Sequence, residues 1–184
     1  DIRGNTEDDL TPDVMERIGQ AYGTHLQRAD ERQEVSVGHD ARTTSEELYR
    51  AFIDGLRASG IERVYDLGLQ PFGVVLFHSW REENEAAFIT ASHLPKEWNG
   101  VKFYHPNGIG YTSEENDAIQ ELVLDDDDET GRTPLEAVSP REDYLEYLTG
   151  TIDPIAMDVI VDCGNGVAGL SAPHLLKRLG CEVE

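Results

Sequence analysis

The sequence predicts an α/β protein built in layers around a largely parallel or mixed β-sheet. Short apolar segments at Val35–Val37, Val64–Leu67 and Ala86–Ile89 are typical of buried strands. They alternate with segments whose apolar residues recur at three- or four-residue spacing, as in amphipathic helices. A chain of 184 residues with an apolar content of 39% can bury a core of this kind.

Three helices are predicted in the first half of the chain from their starts and their apolar stripes. Thr11–Pro12 provides an N-cap and a proline at the first helical position. Thr44 and Glu47 predict a capping box for the second helix, which Gly60 ends, and the third helix is expected over Pro71–Trp80. The first two stripes consist of Val14, Ile18, Tyr22, Leu26, Leu48, Phe52 and Leu56.

The second half begins with a predicted strand, Val101–Tyr104, and with a helix that Thr112 and Glu115 are expected to cap. The acidic run Asp125–Glu129 is interpreted as a solvated connection. It lacks the glycine that a calcium-binding loop needs at its sixth position. A further helix is expected to start at Ser139–Pro140.

A change of organisation at Thr149–Pro154 predicts a domain boundary, with one domain at 1–149 and the start of another at 150–184. A single strand–helix–strand unit cannot bury a core of its own. We therefore expect the chain, which opens without a methionine, to be the N-terminal part of a longer protein. The elements predicted in the second part are Val159–Val161, Leu170–Leu179 and Cys181–Glu184.

The charge of the chain argues against two classes of partner. Fifteen basic and 37 acidic residues give a net charge of -22, which disfavours a broad surface for nucleic acid or for an anionic membrane. No apolar segment has the length of a membrane span or the form of a secretion signal. We expect a reduced, cytoplasmic protein, whose acidity fits either a high-salt cytosol or an ordinary acidic surface.

Residues capable of chemistry concentrate in the segment that follows the third predicted strand. Ser92 and His93 come directly after that strand, which delivers a hydroxyl and an imidazole into a loop. Asn99–Gly100 predicts a tight turn that would bring Lys102 to the same side of a pocket as Ser92. Lys96 and Lys102 are two of only three lysines in the chain. A local site for an anion such as phosphate is therefore expected.

Two other functions fit local patterns. Ser92 beside His93 suggests a serine hydrolase, but neighbours on an extended segment point to opposite faces, and no Gly-x-Ser-x-Gly turn is present. Gly164–Gly169 matches the Gly-x-Gly-x-x-Gly pattern of NAD(P)-binding oxidoreductases, with Glu182 and Glu184 near the place of a ribose-binding carboxylate. Glycines required for a sharp turn and close packing would produce the same pattern.

Taken together, these loops resemble the α-D-phosphohexomutase family, the phosphoglucomutases and phosphomannomutases. The family's active-serine motif is Thr-Ala-Ser-His-Asn-Pro followed by Asn-Gly-x-Lys-Phe. It corresponds to residues 90–95 and 99–103 of this chain, with Leu94 in place of the asparagine. Further segments similar to family loops are Asp1–Gly4, Gly38–Arg42, Asp66–Gly68 and Asp162–Gly166.

The resemblance implies a three-layer α/β/α domain with a mixed sheet, followed by the first βαβ unit of a second, similar domain. It implies a magnesium-dependent isomerase that interconverts hexose 1-phosphate and hexose 6-phosphate through a hexose 1,6-bisphosphate. Ser92 would be the phosphoserine and a ligand of Mg²⁺, while Arg3, His93 and Lys102 would surround the transferring group. Lys102 is also the candidate for proton transfer at the sugar hydroxyl, and Arg3, Arg42 and Lys102 would bind substrate phosphate.

The chain also departs from the family pattern. His39 replaces an arginine, which makes the charge at that loop depend on pH, and Leu94 removes a hydrogen-bonding side chain. The family's metal-binding Asp-Gly-Asp-x-Asp-Arg loop and its sugar-selecting Glu-x-Ser motif do not occur in this sequence. We therefore expect the chain alone to be inactive. Thr90, where phosphoglucosamine mutases tend to have serine, favours glucose or mannose phosphate as substrate, and a non-catalytic domain with the mutase fold is the remaining alternative.

Overall fold

The computed structural model describes residues 1–29, 33–123 and 131–184. Its helices are α1 (Pro12–Arg28), α2 (Ser45–Ala58), α3 (Phe72–Glu82), α4 (Ser113–Val123), α5 (Arg141–Thr151) and α6 (Ala172–Arg178). Its strands are β1 (Ile2–Asn5), β2 (Glu34–His39), β3 (Arg63–Leu69), β4 (Glu85–Ile89), β5 (Trp98–Tyr104), β6 (Leu135–Ala137), β7 (Asp158–Val159) and β8 (Glu182–Val183). A short 3₁₀ helix precedes α6, at Val167–Leu170.

The main sheet is mixed, as predicted, and its strand order is β1-β5-β4-β2-β3-β6. The four strands β4, β2, β3 and β6 are parallel, whereas β1 and β5 join the other edge in antiparallel pairs. β2 lies between β4 and β3 in the sheet. The loop after β2 and the loop after β4 therefore start at neighbouring strand ends and run in opposite directions. In open α/β sheets this is where ligands bind.

Helices cover both faces of this sheet, which confirms the three-layer arrangement. α1 packs against α2 and α4 on one face, and α3 packs against β2, β4 and α5 on the other. The first interface contains the larger apolar cluster, centred on Tyr22, whose ring centroid lies 4.3 Å from that of Phe103 and 6.3 Å from that of Phe52. The second contains Val75 and Phe88 among its buried residues. The predicted stripes of α1 and α2 face the first cluster, although Val14 is only partly buried.

Two sequence predictions, the capping box of Thr44 and Glu47 and the turn at Asn99–Gly100, are wrong for the same reason. Thr44 adopts helical backbone angles and makes no capping bond, so the predicted Thr44–Glu47 box does not form. Its hydroxyl oxygen instead accepts a hydrogen bond from the Asn99 side chain at 3.0 Å. Asn99 and Gly100 do not form a turn either, because both lie buried within β5. Tertiary pairing thus overrides the local turn and capping preferences. The box of Thr112 and Glu115, by contrast, is confirmed.

The C-terminal elements are shorter than predicted. β7 and β8 form a separate two-stranded parallel sheet, and the helix expected over Leu170–Leu179 is divided into the 3₁₀ turn and α6. This unit contacts α5 through Arg178, whose Nη2 donates to both carboxylate oxygens of Glu142, at 2.7 and 2.8 Å.

The division into domains at residue 149 stays a prediction, and the acidic run Asp125–Glu129 lies outside the described residues. No described helix has the length and apolar character that crossing a membrane requires.

The crossing of α1 and α2 depends on two glycines. Gly19 lies against the carbonyl oxygen of Phe52, and Gly55 against that of Glu16, so an added Cβ at either position would overlap backbone atoms. We expect Gly19→Ala and Gly55→Ala each to lower the free energy of unfolding by about 2 kcal/mol or more, because overpacking forces the helices apart. Urea unfolding monitored by circular dichroism measures this loss.

Gly150 provides the matched control, since it also lies in a helix but has no heavy atom near its added Cβ. Gly150→Ala should raise the free energy of unfolding by about 0.5–1 kcal/mol through helix propensity alone. Similar effects of alanine at all three positions would show that close approach does not determine the α1–α2 crossing.

Candidate active site

The loops after β2 and β4 start side by side. These strands are adjacent and parallel, with His39 opposite Ile89 in their register. The backbone N–H of Asp40 donates to the Ile89 carbonyl oxygen over 3.1 Å, so the first residue beyond β2 is held to the end of β4. The loop that carries Ser92 therefore leaves the sheet next to the loop that carries Asp40.

The Asp40 carboxylate connects three parts of the site. Its Oδ1 accepts hydrogen bonds from the Arg42 backbone N–H (3.0 Å) and the Ser45 hydroxyl (2.5 Å). Its Oδ2 accepts a hydrogen bond from the Thr90 hydroxyl (2.7 Å), and Thr90 Oγ1 in turn accepts one from the Ser92 backbone N–H (2.9 Å). Asp40 and Thr90 thus fix the backbone of Ser92, although the sequence pattern predicts no such role for either.

The guanidinium of Arg42 holds the rest of the loop. Its Nε lies 3.3 Å from Asp40 Oδ2. Its Nη1 and Nη2 each donate to two loop carbonyl oxygens, over 2.7 to 3.2 Å, those of Ser92, Leu94, Pro95 and Trp98. A guanidinium has five N–H donors, and the four on Nη1 and Nη2 are used on these carbonyl oxygens. This geometry favours a loop-holding role for Arg42, and the binding of substrate phosphate by Arg42 stays a prediction.

Ser92 has a left-handed backbone conformation, with φ of 57°. Such angles are uncommon and costly for residues other than glycine, and they concentrate at functional sites. The conformation places Ser92 Oγ 3.5 Å from His93 Nδ1, at the outer limit of a hydrogen bond. The expectation that the two side chains point to opposite faces is therefore wrong, because it assumed an extended segment.

Arg3 and Lys102 lie on one face of the sheet because Arg3 is paired with Gly100, which is two residues before Lys102 on β5. Lys102 is opposite Phe88 across β4 and β5, and Arg3 is opposite Gly100 across β1 and β5. An added Cβ at Gly100 would lie 2.8 Å from Arg3 Cγ, so the Arg3 side chain uses that space. The prediction that Arg3 lies in a loop is wrong, since pairing with β5 makes its segment a strand.

These two cations share one carboxylate. Asp1 Oδ2 lies 2.9 Å from Arg3 Nη2 and 3.1 Å from Lys102 Nζ. About a quarter of each cationic side chain is exposed. A single anionic oxygen can thus contact both cations at once, which is the arrangement that a phosphoryl oxygen would need.

Ser92 and Lys102 line the same cavity, as predicted. Its volume is about 290 Å³, and Thr90 also contributes to its polar part. The remainder is an aromatic wall of Phe72, Phe88 and Tyr104, in which the Phe72 ring centroid lies 5.4 Å from that of Phe88 and 5.0 Å from that of Tyr104. The sequence reasoning missed this wall. Its signal is the alternation that places Phe88 with Thr90, and Lys102 with Tyr104, on one face of adjacent strands.

Two further residues of the predicted anion site lie outside this cavity. His39 is buried on the α2 side of the sheet, where its Nδ1 lies 2.8 Å from the Asp40 carbonyl oxygen and its ring packs on Tyr49 at 4.7 Å. Lys96 is exposed and does not line the cavity. Lys102 therefore supplies the positive charge of the cavity that the sequence also sought in Lys96, and Arg3 is connected to Lys102 through Asp1.

The described residues form a complete site neither for the predicted Mg²⁺ nor for the dinucleotide of the alternative function. They contain no group of three or more His, Cys, Asp or Glu side chains placed to hold a metal ion. The last three residues of Gly164–Gly169 lie in the 3₁₀ helix, and the seven-residue α6 follows it, so the segment does not lead directly into a long helix whose N-terminus could bind a pyrophosphate. The geometry therefore does not support the dinucleotide-binding alternative.

A family model described as phosphoglucomutase/phosphomannomutase, alpha/beta/alpha domain I, matches residues 1–130. The chain belongs to the phosphoglucomutase/phosphomannomutase family. This confirms the resemblance on which the expected site residues depend. The matched range contains Arg3, Arg42, Ser92, His93 and Lys102.

Relatives in the phosphoglucomutase/phosphomannomutase family are named after different sugar phosphates. A phosphoglucomutase/phosphomannomutase of Thermococcus kodakarensis is 35% identical over 99% of this chain and 42% of that protein. A phosphoglucosamine mutase of Caldanaerobacter subterraneus is 32% identical over 99% of this chain and 42% of that protein. A crystal structure of a family protein from Burkholderia thailandensis matches all of this chain and 42% of that chain, with a TM-score of 0.90 and 31% identity. The chain thus spans about two fifths of these relatives.

The contact between Thr90 and the Ser92 backbone can be tested with an isosteric change. Thr90→Val removes the hydroxyl that links Asp40 to the Ser92 N–H, and it leaves the buried carboxylate without one donor. We expect the free energy of unfolding to fall by about 1–3 kcal/mol. We also expect hydrogen exchange at the Ser92 amide, measured by NMR, to become at least about tenfold faster.

Thr24→Val is the control, because the Thr24 hydroxyl donates to the Gln20 carbonyl oxygen within the same helix, α1. It should change stability little and leave exchange at Ser92 unaltered. If Thr90→Val also left Ser92 exchange unaltered, the proposed linkage from Asp40 to Ser92 would be wrong.

Proposed function

We propose that this chain supplies the phosphoserine of a magnesium-dependent phosphohexomutase, which interconverts hexose 1-phosphate and hexose 6-phosphate. One observation carries the proposal. The Ser92 hydroxyl, on a backbone held in a strained conformation by Asp40, Thr90 and Arg42, opens into a cavity that also contains the Lys102 ammonium. Phosphoryl transfer requires mainly such positioning and charge neutralisation.

The transfer from phosphoserine to sugar breaks the bond between phosphorus and Ser92 Oγ and forms a bond between phosphorus and the sugar hydroxyl oxygen. The proton that the sugar hydroxyl loses ends on Ser92 Oγ, so the serine leaves the step as a hydroxyl. Lys102 and Arg3 stabilise the phosphoryl oxygens, and Lys102 assists the proton transfer at the sugar. His93, whose Nδ1 lies 3.5 Å from Ser92 Oγ, contacts the same group. Hexose 1,6-bisphosphate is the product of this half-reaction, and its reorientation permits the return transfer to Ser92.

Magnesium would neutralise charge on the transferring phosphoryl group. Within the described residues, Ser92 as phosphoserine offers one oxygen ligand, and no cluster of carboxylates or imidazoles completes a site. The other ligands would have to come from outside these residues. Since the chain also spans only about two fifths of its relatives, we propose that it does not turn over substrate alone. Glucose and mannose phosphates are the proposed substrates, and glucosamine phosphate is the competitor to compare.

Phosphate on Ser92 is the first prediction of this proposal. Incubation of the full-length protein with glucose 1,6-bisphosphate and magnesium should add one phosphate, which intact mass measures and peptide mapping assigns to Ser92. Ser92→Ala should abolish both the added mass and mutase activity, whereas Ser139→Ala, at an exposed serine far along the chain, should change neither. Mutase activity that survives Ser92→Ala would exclude the mechanism.

Lys96 provides a matched control for the role of Lys102. Lys102→Met should lower the rate of phosphate transfer to and from Ser92 by about 10²–10³-fold, as the loss of one stabilising group of a transition state does elsewhere. Lys96→Met removes a charge of the same kind outside the cavity, so it should retain nearly all activity. Rapid-quench measurement of phosphoserine formation compares the two. Equal losses in both variants would indicate only a general electrostatic effect.

A further inference from the structure

A second cavity lies where α2 meets the carboxyl ends of β2 and β3, and nothing in the proposed mutase mechanism uses it. We call it the α2–β3 cavity. Its volume is about 540 Å³, which is in the range of cavities that hold small ligands. The polar residues of its lining are His39, Glu46, Arg50, Asp54 and Asp66.

His39 uses one ring nitrogen on the backbone and leaves the other for the cavity. Its Nδ1 lies 2.8 Å from the Asp40 carbonyl oxygen. A carbonyl oxygen can only accept, so Nδ1 carries the single N–H of the neutral ring and the lone pair is on Nε2. Nε2 has no hydrogen-bond partner among the described residues. Because His39 is only 7% exposed and lines the cavity, this buried acceptor is available to a donor that enters there.

Asp66 presents a carboxylate to the same cavity. The Tyr49 hydroxyl donates to Asp66 Oδ1 over 2.5 Å, and its oxygen accepts from the Gly68 backbone N–H over 3.0 Å. Burial raises the pKa of Tyr49, so the phenol keeps its proton and the negative charge stays on Asp66. Oδ2 of Asp66 has no hydrogen-bond partner in the part of the chain that the structure describes. The Tyr49 ring also packs on His39, at 4.7 Å, so one side chain positions both acceptors.

The charges of the lining favour a cation. Glu46 is paired with Arg50, whose Nη2 lies 2.6 Å from Glu46 Oε1. Asp54 and Asp66 have no cationic partner among the described residues. Two negative charges of the cavity are therefore uncompensated, beside a buried nitrogen that needs a donor.

An apolar wall completes the cavity. It consists of Ile53, which is buried in α2, and of Leu69 and Leu135, which are 40% and 41% exposed. Such a wall removes part of the water around a bound cation. This favours a guanidinium over an ammonium, because a guanidinium is more weakly hydrated and directs several N–H groups outward in one plane.

We propose that the α2–β3 cavity binds a guanidinium group. One N–H donates to His39 Nε2, another donates to Asp66, and Asp54 adds negative charge at the mouth. The apolar wall contacts the carbon atoms that carry the guanidinium. A divalent metal does not fit, since the described residues hold no group of three metal ligands. The site is separate from the Ser92 cavity, and it does not depend on the proposed mutase function.

Titration of the 184-residue chain at pH 8 with butylguanidinium, butylammonium and tetramethylammonium tests the proposal. Calorimetry should show butylguanidinium at one site, butylammonium at least about tenfold weaker, and tetramethylammonium weaker still because it has no N–H. In ¹⁵N NMR spectra of the histidine rings, the His39 Nε2 signal should have the shift of an unprotonated nitrogen and should move on binding. A proton on Nε2 in the free protein, or equal affinity for butylguanidinium and butylammonium, would overturn the proposal.

Three substitutions at His39 test the acceptor. His39→Asn keeps an N–H for the Asp40 carbonyl oxygen but removes the acceptor in the cavity, so it should weaken butylguanidinium binding about tenfold. His39→Gln can place an amide oxygen near the position of Nε2, so it should retain most of the affinity. His39→Arg should abolish binding, since its own guanidinium would occupy the cavity. Unaltered affinity in His39→Asn would contradict the role of Nε2.

Charge variants separate this site from general attraction to an acidic protein. The exposed change Asp54→Asn should weaken butylguanidinium binding about threefold to tenfold, and Arg50→Gln, which frees Glu46, should strengthen it. Glu114→Gln, on α4, removes the same charge away from the cavity and should have no effect. If Glu114→Gln weakened binding as much as Asp54→Asn, the attraction would be nonspecific and the site would be excluded.

The natural source of the guanidinium is distinguished by a second pair of probes. Free arginine represents a small metabolite, and N-acetyl-arginine amide represents an arginine side chain of a protein. Tighter binding of free arginine would assign the cavity to small molecules, and tighter binding of the amide would assign it to a protein contact. Binding of neither at millimolar concentration would exclude the site.

Discussion

The Asp40 carboxylate is the interaction on which the site depends. Only 15% of this side chain is exposed, so its charge must be compensated by nearby donors. Those donors come from Arg42 on the loop after β2, from Ser45 at the start of α2 and from Thr90 on the loop after β4. One buried charge thus joins two loops that the parallel sheet brings together. Loss of a single donor would leave a charge partly unsatisfied, which costs more than an ordinary hydrogen bond contributes.

This network also offsets the strain at Ser92. A left-handed conformation of a serine costs about 1–3 kcal/mol, and it persists only where surrounding contacts determine it. The Ser92 N–H is held by Thr90, and the Ser92 carbonyl oxygen is held by Arg42, so both sides of the residue are fixed. Among the described residues, the hydroxyl itself makes only the long contact with His93. The loop is therefore rigid in its backbone and leaves the reacting oxygen available.

The sequence predicted correctly those features of the structure that local patterns determine. The apolar spacing of α1 and α2 predicted their buried faces, and the motif around Ser92 predicted its place beside Lys102. The sequence prediction failed for features that depend on the order of strands in the sheet. Asn99–Gly100 has the composition of a turn but pairs with β1, and the exposed three-residue strand β6 has no apolar pattern that could reveal it. The roles of Asp40 and Thr90 require knowing that β2 and β4 are neighbours, which no local pattern contains.

The same helix, α3, lines both the serine cavity and a groove beside α5. Phe72 at its start and His78 are six residues apart, or about 9 Å along the helix axis. α3 is fixed to β2 in two places, by the bond between His78 and Ser36 and by Val75, whose Cγ2 fills the space beside Gly38. These two contacts hold α3 against the centre of the sheet, and α3 in turn positions Phe72 in the wall of the Ser92 cavity. The apolar wall of that cavity therefore depends on a buried contact on the far end of the same helix, as its polar part depends on Asp40.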